Sequence, residues 1–197
     1  MRYALTLLCL LAPPAVAQGT MVVIPVYSQR LHVAVPDGFK AGFENTGNKS
    51  YIVELVQSGE TVENWSQLIT VTGAKGAASG ATALAWTKAW GKLYAAACPR
   101  TFKGIVFPQP TIKGAADVFA GYVGCGTFMG HSESVAFLVL KGAEDIYMVQ
   151  WAEHGPAQDK PLDPNMNIWS SRVRILSLTR ICDRVPGEKA PYPSCTQ

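Results

Sequence analysis

The sequence predicts an α+β protein: a single domain in which an antiparallel β-sheet is covered by two helices. Three observations predict it. Runs rich in β-branched and aromatic residues are separated by short turn clusters, as in hairpins, and no crossover helices join them in alternation. Two segments, around residues 81–98 and 163–182, carry apolar residues at helical spacing. Strands, a helix, more strands and a second helix then follow in that order, with no internal repeat and no linker to divide the chain.

The chain opens MRYALTLLCLLAPPAVAQG. One basic residue, Arg2, precedes an apolar run, and Ala15-Val16-Ala17 supplies a small-residue cleavage site. This is the pattern of a secretory signal, too short to span a bilayer, so residues 1–17 are expected to be removed and residues 18–197 to form the domain. Cys9 does not make this a lipoprotein leader, because Leu8 stands before it where a small residue is needed.

The elements follow in order. In MVVIPVY, Met21–Tyr27, Pro25 has no amide proton for a central ladder, so this strand belongs at an edge. RLHVAVP alternates, with Leu31, Val33 and Val35 on one face. PDGF, Pro36–Phe39, is a turn: proline fixes φ and Asp-Gly accepts the bend. FKAGFEN and YIVELVQ flank the polar cluster NTGNKS as arms of a meander. GETVEN is too short and too polar for a helix, and a strand is expected to begin near Trp65 or Leu68.

GAKGAASG, Gly73–Gly80, lacks the G-x-x-x-x-G-K-[ST] spacing of a phosphate-cradling loop, and reads as a lead into a helix with Ser79 as N-cap. That helix, ATALAWTKAWGKLYAAACPR, sets Ala83, Trp86, Trp90, Leu93, Tyr94 and Ala97 toward a sheet and Thr87, Lys88 and Lys92 away from it, and Pro99 stops it. GIVFPQPTI and VFAGYVGCGTFM are read as strands, the first interrupted by Pro108 and Pro110. SVAFLVL and IYMVQWAEH, joined by KGAED, form the clearest hairpin, with a continuously apolar first arm fit for a central strand. DPNMNIWSSRVRILSLTRICDR is read as the second helix, with Asp163 as N-cap, Pro164 at the first turn and Cys182 on its apolar side.

Apart from Cys9 there are four cysteines: Cys98, Cys125, Cys182 and Cys195. An even count in an exported chain implies two disulfides, and the pairs Cys98–Cys125 and Cys182–Cys195 are favoured among three possible connectivities. None shows metal-type C-x-x-C spacing, and His32, His131 and His154 lie apart from them in sequence. Seventeen Lys and Arg stand against fourteen Asp and Glu without a basic stripe, which argues against a nucleic-acid partner. No segment of the expected mature chain approaches the length of a membrane span.

The stretch VPDGFKAGFEN…YIVELVQSGETVENWSQLITVTG resembles small exported bacterial proteins of unassigned activity that carry a G-E-[ST]-x-x-x-W-[ST] element, occupied here by Gly59, Glu60, Thr61, Trp65 and Ser66. The element order is similar to the Mog1/PsbP-like arrangement. The resemblance implies an accessory or binding protein and carries over no catalytic residues. Within it, Trp65 is read as an anchor at the sheet–helix junction, because a tryptophan buries a large apolar surface yet needs a partner for its N–H.

The remaining polar clusters form no recognisable catalytic motif. GHSES offers His131, Ser132 and Glu133, but strand neighbours point to opposite faces, so it is read as a polar loop. Glu144 and Asp145 are placed in a solvated turn, and His154, after Glu153, on the surface. No catalytic residue, metal ligand or cofactor is therefore assigned. The expectation is a periplasmic or secreted protein that binds an envelope protein or a small amphipathic ligand, in a groove between the sheet and the Trp86/Trp90 helix, with Trp65 as a third candidate contact. Two rival classes are a hydrolase of cell-wall or secreted substrate, using His131 or His154 with a nearby carboxylate, and an inhibitor or immunity-type protein against an exported toxin.

Overall fold

The computed structural model describes residues 19–196, so the expected leader, residues 1–17, lies outside the described residues. The fold is α+β, and its strands divide between two antiparallel sheets where a single sheet was expected. β1 (Thr20–Val26), β2 (Gln29–Val35) and β10 (Arg180–Asp183) make the smaller one, in the order β1-β2-β10. The larger contains β3 (Phe39–Thr46), β4 (Ser50–Gln57), β5 (Gln67–Ala74), β6 (Phe102–Val106), β7 (Asp117–Phe128), β8 (His131–Lys141) and β9 (Ile146–Pro156). Its spatial order is β3-β4-β5-β9-β8-β7-β6. α1 (Ala83–Ala97) packs on β6, β7 and β8, α2 (Met166–Leu176) on β7, β8 and β9, and the short α3 (Pro193–Thr196) on β2 and β10.

The two-residue period of β8 shows how the layers form. Ala136, Leu138 and Leu140 face a core shared with Leu31, Val33 and Val35 of the small sheet and with Trp169, Val173 and Leu176 of α2. Val135, Phe137 and Val139 face the other side, where Trp86, Trp90 and Tyr94 of α1 cover them. Both faces of this strand are buried, which is why its sequence is continuously apolar. β1 is an edge strand, as Pro25 requires. Gly38 makes the turn into β3 at φ +88°, and Gly73 lets the sheets close, since a Cβ there would lie 2.4 Å from Val26 Cγ1.

Several local expectations are corrected. Thr82, not Ser79, caps α1 by accepting from the Ala85 N–H; Ser79 closes a single 3₁₀ turn instead. Thr87, expected outward, is buried, whereas Leu93, expected inward, is 69% exposed. The second helix is capped by Asn165, not Asp163, and ends at Leu176. Cys182 therefore sits on β10, because the residues after the helix pair with β2, Ile181 opposite Leu31.

Asp145, expected to be solvated, is 1% exposed and organises the junction between the sheets. Its Oδ2 accepts from the Ser28 N–H at 3.1 Å, the Ser28 hydroxyl at 2.6 Å and the Tyr147 hydroxyl at 3.1 Å, while Oδ1 accepts from the Gly76 N–H at 2.8 Å. Burial acts to raise its pKa, but these four donors outweigh burial and hold the carboxyl below the usual range. Two disulfides, Cys98–Cys125 and Cys182–Cys195, tie the end of α1 to β7 and the C-terminal segment to β10. They are the pairs favoured from the sequence, and they suit an oxidising compartment.

Candidate functional site

The residues His131-Ser132-Glu133 begin β8, immediately after the Met129-Gly130 turn, so they are strand and not loop. Neighbours on a strand do point to opposite faces, but residues two apart share one. His131 and Glu133 consequently face α1 together, while Ser132 points to the α2 side. The β8–β9 register then places His154 directly across from Glu133. Two segments distant in sequence become one cluster.

Glu133 lies at its centre, 7% exposed. Its Oε1 accepts from the Tyr94 hydroxyl of α1 at 2.5 Å. Its Oε2 is 3.2 Å from His154 Nε2 and 3.7 Å from His131 Nε2. The His131 Nε2 is buried yet has no hydrogen-bond partner. The Trp65 indole stacks on the His154 ring at 3.4 Å between centroids. Burial holds the His154 imidazole below its ordinary pKa; Glu133 and the Trp65 carbonyl oppose that shift, and His131 adds to it. Burial, with the adjacent Glu133, pushes the Tyr94 phenol up, so Tyr94 stays a donor.

Six rings follow one another in an arc around this carboxylate. Trp90 meets Tyr94 at 4.6 Å, Tyr94 stacks on Phe128 at 5.7 Å, and Phe128 meets His131 edge-on at 6.1 Å. His131 meets His154 at 3.7 Å, and His154 meets Trp65. The arc is positioned by four elements: α1, the β7–β8 hairpin, the end of β9 and the segment before β5. The Cys98–Cys125 disulfide secures the α1 end of it, one helical turn from Tyr94.

Of the three tryptophans expected to bind, Trp65 is in the arc and half-buried, and lies just before β5. Trp90 joins the arc through Tyr94 and also packs on Phe137. Trp86 packs against the core on that side and takes no part in the arc. His131 and His154, with a nearby carboxylate, were named from the sequence only in the rival hydrolase reading, and Tyr94 and Phe128 in no site. The signal that joins the two histidines to Glu133 is the alternation within GHSES combined with the register set by the KGAED turn, since pairing Lys141 with Ile146 carries Glu133 to His154.

A cavity of about 400 Å³ opens on the opposite side, between α2 and the same strand ends. Tyr122, Ser134, Glu153, Asn165 and Trp169 line it, and His154 borders it. The Tyr122 and Ser134 hydroxyls are hydrogen-bonded there at 2.9 Å, and Arg172 is sandwiched between the Trp151 and Trp169 rings while pairing with Glu153.

No protein-family model matches the chain, and a comparison with curated proteins found no match.

Proposed function

We propose that the protein is an exported accessory protein that works by binding, and that its recognition surface is the ring-lined cluster around Glu133. One observation carries this reading: six rings follow one another in contact along an arc around a single buried carboxylate, between α1 and the paired ends of β8 and β9. Met129 and Leu93, next in sequence to Phe128 and Tyr94, are 87% and 69% exposed. An apolar surface with one polar centre suits a protein partner of the envelope or a small amphipathic molecule. The leader-like first residues, the two disulfides and the resemblance of the Gly59–Ser66 stretch to small exported proteins support a periplasmic or secreted location.

A photo-crosslinking residue at Phe128 tests this in the envelope of the producing cell. One defined adduct at Phe128, and none with the crosslinker at Leu178 away from the arc, is the expected result. Equal labelling at both positions, or none at either, would refute it.

One observation favours a second reading, a hydrolase of cell-wall or secreted substrate. His154 borders a cavity, pairs with a carboxylate and is held neutral by burial, as a general base requires. Hydrolysis of envelope substrates that disappears in His154→Ala, with the fold intact, would establish it.

A further inference from the structure

We propose that His131, Glu133 and His154 form a binding site for one divalent transition-metal ion, with zinc as the reference ion. This deepens the binding reading, on whose site it rests. Three kinds of observation converge on it.

The first is spacing. Donor atoms bonded to zinc at about 2.0–2.2 Å in tetrahedral geometry lie about 3.3–3.5 Å from one another. Glu133 Oε2 stands 3.2 Å from His154 Nε2 and 3.7 Å from His131 Nε2, and the three potential ligand atoms all lie within 4.8 Å of one another.

The second is electron-pair balance. The His154 ring turns Nε2 toward Glu133 Oε2. With its proton on Nδ1, a neutral imidazole so placed presents the Nε2 lone pair that a metal ion requires. His131 brings a second ring nitrogen to the same oxygen, buried and without a hydrogen bond. Among the described residues, the ion-pair partners of Glu133 are these two imidazoles alone, with no lysine or arginine. A cation at the focus of the three atoms satisfies all of them at once.

The third is the surrounding shell. Metal-ligating groups are oriented by their outer contacts: the Tyr94 hydroxyl donates to the remaining oxygen of Glu133, and the Trp65 indole stacks on the His154 ring. The His131 and His154 side chains are 30% and 23% exposed, which leaves a side from which an ion can enter and a fourth ligand, water or a partner's donor atom, can bind. Two imidazoles and a carboxylate suit zinc, copper or nickel and disfavour magnesium and calcium.

The test uses the purified protein with both disulfides formed, stripped with a chelator and titrated with Zn2+ against a chromophoric competitor. One ion per chain is expected, with magnesium and calcium failing to compete. Glu133→Gln and His154→Ala should each weaken binding by at least about 30-fold, and Tyr94→Phe, which removes only an orienting bond, by about 10-fold. His131→Ala changes a half-exposed side chain and provides the answer should a substitution at Glu133 prevent folding. Ser132→Ala, between two ligands but on the opposite face, should bind as the parent does. Co2+ in place of zinc should give the intense visible bands of a four-coordinate site in the parent and lose them in His131→Ala. Sub-stoichiometric binding, or parental affinity in both Glu133→Gln and His131→Ala, overturns the site. Because the titration contains no partner, a chain that forms the Phe128 adduct yet takes no zinc loses the metal alone. One that takes zinc without an adduct loses the recognition surface alone.

Discussion

Replacing Asp145 by asparagine should destabilise the protein far more than a turn substitution normally does. Asparagine preserves the shape but offers a single acceptor oxygen, whereas both oxygens of Asp145 are used. In the milder orientation the amide nitrogen replaces Oδ1 and faces the Gly76 N–H. That loses one hydrogen bond to a charged group, about 1.5–3 kcal/mol, and sets two buried donors against each other, about 1–3 kcal/mol more. A total of about 4 kcal/mol corresponds to a fall in Tm of about 8–16 °C for a domain of this size. The effect should also depend on pH with a definite sign. The folded-state pKa is depressed, so the stabilisation is complete above the unfolded value of about 3.9 and is lost as pH falls through the lower folded value. Thermal unfolding followed by circular dichroism at about pH 7 and about pH 3 should therefore show the gap between parent and variant shrinking in acid. A neutral-pH gap below about 2 °C, or one that does not narrow, would show that the four bonds do not stabilise the junction between the sheets.

Three further outcomes follow from other parts of the fold. Replacing Cys98 and Cys125 together by alanine should cost about 3–4 kcal/mol, because the bond closes a loop of 27 residues, and equilibrium urea unfolding with an unchanged midpoint would contradict this. Leu138→Ala, at a fully buried position on β8, should cost about 2–5 kcal/mol in the same assay, and a smaller loss would mean that the core collapses around the gap. Thr82→Ala should cost about 1 kcal/mol through loss of the α1 cap, whereas Ser79→Ala should stay within about 0.5 kcal/mol; the reverse ranking would restore Ser79 as the cap.

The strands were legible because period-two patterning and turn chemistry are local. Pro25 announced an edge, PDGF a turn, and SVAFLVL a strand buried on both sides. The division into two sheets was not legible, since it depends on β10 crossing back to β2 and no local signal in RICD distinguishes a helix end from a short strand. Helix starts failed for a similar reason: Asp163 and Asn165 are both good caps, and tertiary packing chose between them. The Glu133 cluster lay between these cases. Its alternation was visible in GHSES, but weighing His131, Ser132 and Glu133 as adjacent triad members hid the relation two residues apart. Tyr94 and Trp65 could be brought to it only by the fold, through the docking of α1 and through the hydrogen bond from His154 N–H to the Ser66 carbonyl.

The order of the smaller sheet bears on how the chain reaches its folded state. β2 lies in the middle of that sheet, yet one of its two neighbours, β10, comes after every strand of the larger sheet in chain order. A polypeptide growing or crossing a membrane from its N-terminus thus presents a half-paired β2 until β10 follows, with Leu31, Val33 and Val35 waiting for the core they enter. Such high contact order slows folding and leaves an open strand edge exposed to neighbouring chains. Nascent or truncated chains that stop before Arg180 should on this account aggregate through β2, and a holding chaperone that shields residues 29–35 would act where this topology is most vulnerable.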